Sequence, residues 1–190
     1  MDRPSAAEYL VLRKTIAARG SLRPILLIVG LGIWAVILTA VLVLLPYPLA
    51  VAIPLLVLAA TFEAIRPLHF GAERIGRYLQ VFYEDDGKPG RSLTDTPSWE
   101  RVAMSLGQVP GVGGHPLFVP IFFMATVVNY LPVLLARPAA VPVELGMLAV
   151  PHLAFVVWLL YVDRAMRTQR ATELARFRQL RDETPITRKT

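Results

Sequence analysis

The sequence predicts an all-α integral membrane protein with four transmembrane helices as two hairpins, cytoplasmic amphipathic helices and a long cytoplasmic extension of the fourth helix. Three observations carry this. Pro24 to Phe62 is an uncharged run of 39 residues. As one helix it would be about 58 Å long, roughly twice the hydrocarbon thickness. A second pair of apolar runs fills residues 116–162, and of the 20 Lys and Arg only Arg137 falls within either pair. Mean hydropathy of +0.52 is high for an ordinary soluble domain.

Charge placement orients the chain. Of 20 Lys and Arg, five precede the first apolar run, six lie between Glu63 and Arg101, and eight follow Asp163. Arg137 stands apart. Four spans put those three groups on one side, which the positive-inside rule makes cytoplasmic. The expected location is therefore a bacterial cytoplasmic (inner) membrane, multi-pass, with both termini inside. The 17 Arg against 3 Lys hint at a GC-rich genome. The same distribution accounts for a pI near 10.1 without nucleic acid as partner. There is no cysteine, which rules out disulfides, thiolate zinc sites and cysteine-ligated iron–sulfur clusters.

Residues 1–23 read as a cytoplasmic amphipathic helix. Ser5 and Glu8 fit a capping box, and Gly20 can close the helix. Tyr9, Leu12 and Ile16 share a face beside Arg13, Lys14 and Arg19, as in a helix lying on a membrane surface. Residues 24–65 form the first hairpin. Pro46-Tyr47-Pro48 interrupts the apolar run and supplies the outer turn. The first run is too long for a signal-peptide core.

Residues 66–115 are the cytoplasmic connection. Glu63 and Arg66, three apart, can pair on a helix, and Pro67 predicts a kink or break there. Beyond it Leu68, Ile75, Tyr78, Leu79 and Phe82 share one side. Glu73, Arg74, Arg77 and Gln80 lie towards the other, a solvated face with Glu73 and Arg77 at the favourable four-residue spacing. Tyr78, Phe82 and Tyr83 are candidate interface aromatics, and Trp99 belongs at headgroup level. The glycines of 110–114 lack the Gly-Lys-Ser/Thr ending of a phosphate loop. The acidic run 84–86 lacks calcium-loop spacing.

Residues 116–162 form the second hairpin. Pro120, Pro132 and Pro151 predict kinks, and Trp158 with Tyr161 marks the inner boundary. Residues 163–190 are a cytoplasmic basic helix and tail. The helix continues to about Glu183 and carries Leu174 and Phe177 as apolar interface candidates. Its end and that of the second helix can pack together or against another protein.

Few polar side chains lie within the spans. His152 and Asn129 each sit seven residues from the outer ends of their helices, and Thr39 six from the end of the first. The three predict one polar layer, with Pro151 freeing a carbonyl near Met147 as a local acceptor. His152 is alternatively a ligand for a haem or chlorophyll-type pigment, or part of a proton or substrate path. His69 and His115 belong near the cytoplasmic boundary.

The sequence contains no nucleophile–base pair, metal-ligand cluster or phosphate loop. The expectation is a non-catalytic accessory or scaffolding subunit of a larger membrane complex. Its partners would be membrane lipids and other membrane subunits, or further copies of itself. Alternatives are a small oligomeric transporter or channel, a cofactor-binding subunit, or an enzyme acting on a lipid or quinone head through Glu63, Arg66, His69 and His115.

Overall fold

The computed structural model describes residues 6–45, 48–84, 117–135 and 142–183. The order is α1 (Ala6–Leu44), a 3-10 turn (Pro48–Val51), α2 (Ala52–Leu79) with a π-helical turn (Gln80–Glu84), α3 (Val119–Leu135) and α4 (Pro142–Glu183). No strand occurs among the described residues. Among the described residues, three helices are long and apolar enough to cross a membrane: α1, α2 with its flanking turns, and α4. The apolar helix α3 has 17 residues, about 25 Å.

Two sequence expectations change here. The separate N-terminal helix ended by Gly20 does not form. Instead α1 runs unbroken for 39 residues through Gly20 and Pro24. A mid-helix glycine costs only about 1 kcal/mol, and the first turns of α1 are docked along α2. A Cβ at Gly71 would collide with the guanidinium of Arg19. Arg23 meets His69 at 2.6 Å, and Tyr78 donates to Glu8 at 3.3 Å. Tertiary contacts outweigh the local stop signal.

Nor does α2 break at Arg66–Pro67; it continues to Leu79. Proline removes the donor that would reach the Glu63 carbonyl. Pro67 itself points outward, while Phe62, Ile65 and His69 pack inward on both sides of it. One buried face therefore holds the helix together across the missing bond.

α2 is the central element and touches the other three helices. Its Leu58, Phe62 and Ile65 are fully buried against Phe122 of α3 and Phe155 and Leu159 of α4. Phe62 meets Phe122 edge-on at 5.3 Å and Phe155 at 6.2 Å, a favoured aromatic geometry. Between α1 and α2 a glycine sets the separation. A Cβ at Gly30 would overlap the Thr61 side chain, so the backbones approach closely there. Phe118, at φ 54°, turns the chain into α3, and its carbonyl accepts from the amides of Ile121 and Phe122.

Candidate functional site

Two polar clusters join the helices. The first lies between the apolar segments. Asn129 of α3 is fully buried, and its Nδ2 donates to the Val51 carbonyl at 2.9 Å. The same amine meets His152 Nε2 at 3.0 Å. Asn129 Oδ1 accepts from Trp34 Nε1 of α1 at 3.0 Å. His152 Nδ1 lies 2.6 Å from the Leu148 carbonyl. A carbonyl only accepts, so Nδ1 carries the proton and Nε2 accepts from Asn129. The reverse amide orientation would set two oxygens against each other at Val51. One tautomer and one amide orientation therefore satisfy every bond.

This cluster closes on itself and ties α1, the 3-10 turn, α3 and α4 together. Tyr130 adds a bond to the Leu145 carbonyl at 3.0 Å, its ring 5.0 Å from that of His152. The acceptor for His152 is Leu148, one residue beyond the carbonyl that Pro151 frees. Thr39 is not part of the layer. It is exposed, and its hydroxyl donates to Ala35 within its own helix at 2.9 Å. A hydroxyl that returns to its own helix needs no partner across the bundle. Trp34 takes the place expected of Thr39. The signal that finds it is an indole N–H, which needs an acceptor, inside an uncharged run.

A metal at His152 Nε2 would have to displace Asn129, because both ring nitrogens are committed within the protein. Among the described residues no group of three His, Asp or Glu is placed to hold a metal ion.

The second cluster lies where α2 and α4 run beyond their apolar segments. Glu173 of α4 takes Arg77 Nη2 at 2.6 Å, Arg77 Nε at 2.9 Å and Arg74 Nη2 at 3.0 Å. Gln169 donates to it at 2.6 Å. Arg77 also reaches Glu73 at 2.9 Å, and the His69 ring meets Glu73 at 3.4 Å. Burial opposes ionisation of Glu173, but the bonds from Arg74, Arg77 and Gln169, with the charge of Arg77, hold its carboxyl below the ordinary carboxylate range.

The solvated face expected for Glu73, Arg74 and Arg77 is corrected at Arg77, which α4 covers and which is only 3% exposed. The Arg74 side chain keeps its exposure at 62%, and Glu73 is partly exposed. The sequence reading did not single out Glu173 among the arginines around it. Arg23 and Gln169 were missed for the same reason: each acts across helices.

The aromatic candidates are used within the chain. Tyr78 and Phe82 lie 4.8 Å apart, and Phe177 of α4 meets them at 6.1 and 6.4 Å. Leu174 is half-buried on the same helix. Of the two arrangements expected for the ends of the second and fourth helices, these partly buried rings form the contact between α2 and α4. Trp99, His115 and the side chain of Tyr83 lie outside the described residues.

Glu63 and Arg66 pair at 2.6 Å on the outer side of α2. Glu63 also accepts from Trp158 Nε1 at 2.7 Å.

Among the described residues, the fold is all-helical, with three apolar helices of membrane-crossing length and two polar clusters that tie the helices together. No protein-family model, curated protein or solved structure matches the chain.

Proposed function

We propose that the chain is a four-span protein of a bacterial inner membrane, with α3 as the third span and both termini cytoplasmic, and that it serves as a non-catalytic accessory or scaffolding subunit of a larger complex. The positive-inside distribution supports the orientation. One observation supports the role above others. Asn129 and His152, the buried polar pair between the apolar segments, spend their bonds on each other, Trp34, Val51 and Leu148. Such a closed cluster fixes helix positions and leaves neither Asn129 nor His152 open to a substrate path.

The partner-facing element in this reading is the end of α4. Held to α2 by Glu173 and Phe177, it turns Arg164, Arg167, Arg176 and Arg178 outward. These suit an acidic surface on a neighbouring subunit. The alternatives of a channel or a pigment-binding subunit would require the Asn129 cluster to open.

The test is purification from the native membrane in mild detergent, with mass measured by light scattering. The reading expects a stoichiometric assembly that loses its partner when those four arginines become glutamine. A wild-type protein running alone as a monomer overturns it.

A further inference from the structure

The ion pair of Glu63 and Arg66 faces away from the bundle, and two independent boundary markers meet at it. Glu63 is the first charge after the uncharged run Pro24–Phe62, so it marks the end of the apolar part of α2. Trp158 and Tyr161 are the last aromatics before Asp163, so they mark the same level on α4. Trp158 Nε1 donates to Glu63 Oε1 at 2.7 Å, which joins the two helices there. Arg66 lies over the Trp158 ring at 5.7 Å, and Trp158 stacks on Tyr161 at 5.6 Å.

The four side chains stay open on the outer side. Glu63 and Arg66 side chains are 40% and 36% exposed, and Tyr161 is 62% exposed. Arg66 Nε and Nη2 both serve Glu63 Oε2. No bond from Nη1 is seen among the described residues. One turn deeper, Ala60 of α2 and Ala154 of α4 are exposed and small, leaving room beside the helices.

We propose that Glu63, Arg66, Trp158 and Tyr161 bind the headgroup of a zwitterionic aminophospholipid. Its phosphate accepts from Arg66 Nη1. Its ammonium donates to Glu63 and rests on the outer face of Tyr161. Charge selects this ligand. The pair is neutral as a unit, so a purely anionic headgroup gains at Arg66 what it loses at Glu63. A headgroup carrying both signs gains at both. An ion pair left facing hydrocarbon would be costly, and a headgroup at this depth supplies its remaining partners. The inference goes beyond the subunit role and holds equally for a protein that runs alone.

The test uses the full chain, delipidated in detergent and titrated with dioleoyl phosphatidylethanolamine or dioleoyl phosphatidylglycerol, with binding read by native mass spectrometry and thermal shift. The proposal expects phosphatidylethanolamine to bind about tenfold more tightly, the scale of a charge-assisted hydrogen bond. Glu63→Gln should erase the preference, whereas Arg66→Gln should weaken both lipids while leaving phosphatidylethanolamine preferred, and Arg66→Lys should bind both nearly as wild type does. Tyr161→Ala tests the aromatic face without touching the ion pair, so it reads the site even where the charge variants fold poorly; it should weaken phosphatidylethanolamine several-fold. Equal binding of the two lipids, preference for phosphatidylglycerol, or a preference unchanged by all these variants overturns the proposal. So does protection of the cluster by a protein subunit in place of lipid.

Discussion

The buried Arg77 of α2 and the partly buried Glu173 of α4 form an ion pair, with two guanidinium nitrogens on one carboxylate oxygen at 2.6 and 2.9 Å. Their positions are 96 residues apart in sequence, and the pair fixes the extension of α4 against α2.

Removing one member leaves a charge buried. Glu173→Leu should destabilise by about 3 kcal/mol, the lower end for a broken buried pair, because Glu73 still reaches Arg77. Arg77→Met with Glu173→Leu should recover most of that loss. Thermal unfolding in detergent across the double-mutant cycle checks both values.

The pair also sets a pH dependence. The Glu173 carboxyl is held below its ordinary value of 4.5 in the folded protein. The folded state therefore binds fewer protons than the unfolded state in the window between the two values. Its contribution is fully present above the unfolded value and is lost as pH falls through the folded one. Midpoints measured from about pH 7 down to about pH 3 should fall more steeply for wild type than for Glu173→Gln.

Asn129 serves three elements at once and His152 fewer. Asn129→Leu strands the Trp34 N–H, the Val51 carbonyl and His152 Nε2, and should cost about 2 kcal/mol. His152→Leu strands one amide hydrogen and should cost about 1 kcal/mol or less. Equal losses in unfolding measurements would contradict the arrangement.

Gly30 and Gly32 should respond differently to added bulk. A Cβ at Gly30 meets Thr61, whereas at Gly32 it meets nothing within 4 Å. Gly30→Val should destabilise by about 1–3 kcal/mol by forcing α1 from α2. Gly32→Ala should be neutral or slightly stabilising in the same thermal assay.

What was legible in the sequence followed from local counting. Three-residue spacing brings Glu63 to Arg66, and equal distance from the loop brings Asn129 level with His152. What was not legible depends on rotation about long helix axes. Glu173 reaches Arg77 only because α4 stays helical past its apolar segment and turns this carboxylate towards α2. Thr39 shows the converse: depth alone gave it a place in the polar layer, but its own helix supplies an acceptor. The stop at Gly20 failed because a local signal worth about 1 kcal/mol competes with docking along the whole first third of α1.

The central claim is a four-span bundle whose charged extensions share one side, and cysteine accessibility tests it most directly. The chain has no native cysteine, so single cysteines can be read without background. They are placed at Leu45, Arg137, Thr94 and Thr187, and intact cells are treated with a membrane-impermeant maleimide. The account predicts labelling at Leu45 and Arg137 positions from outside, and at those of Thr94 and Thr187 only after permeabilisation. Labelling at the Thr94 position from outside, or protection at that of Arg137, would contradict it.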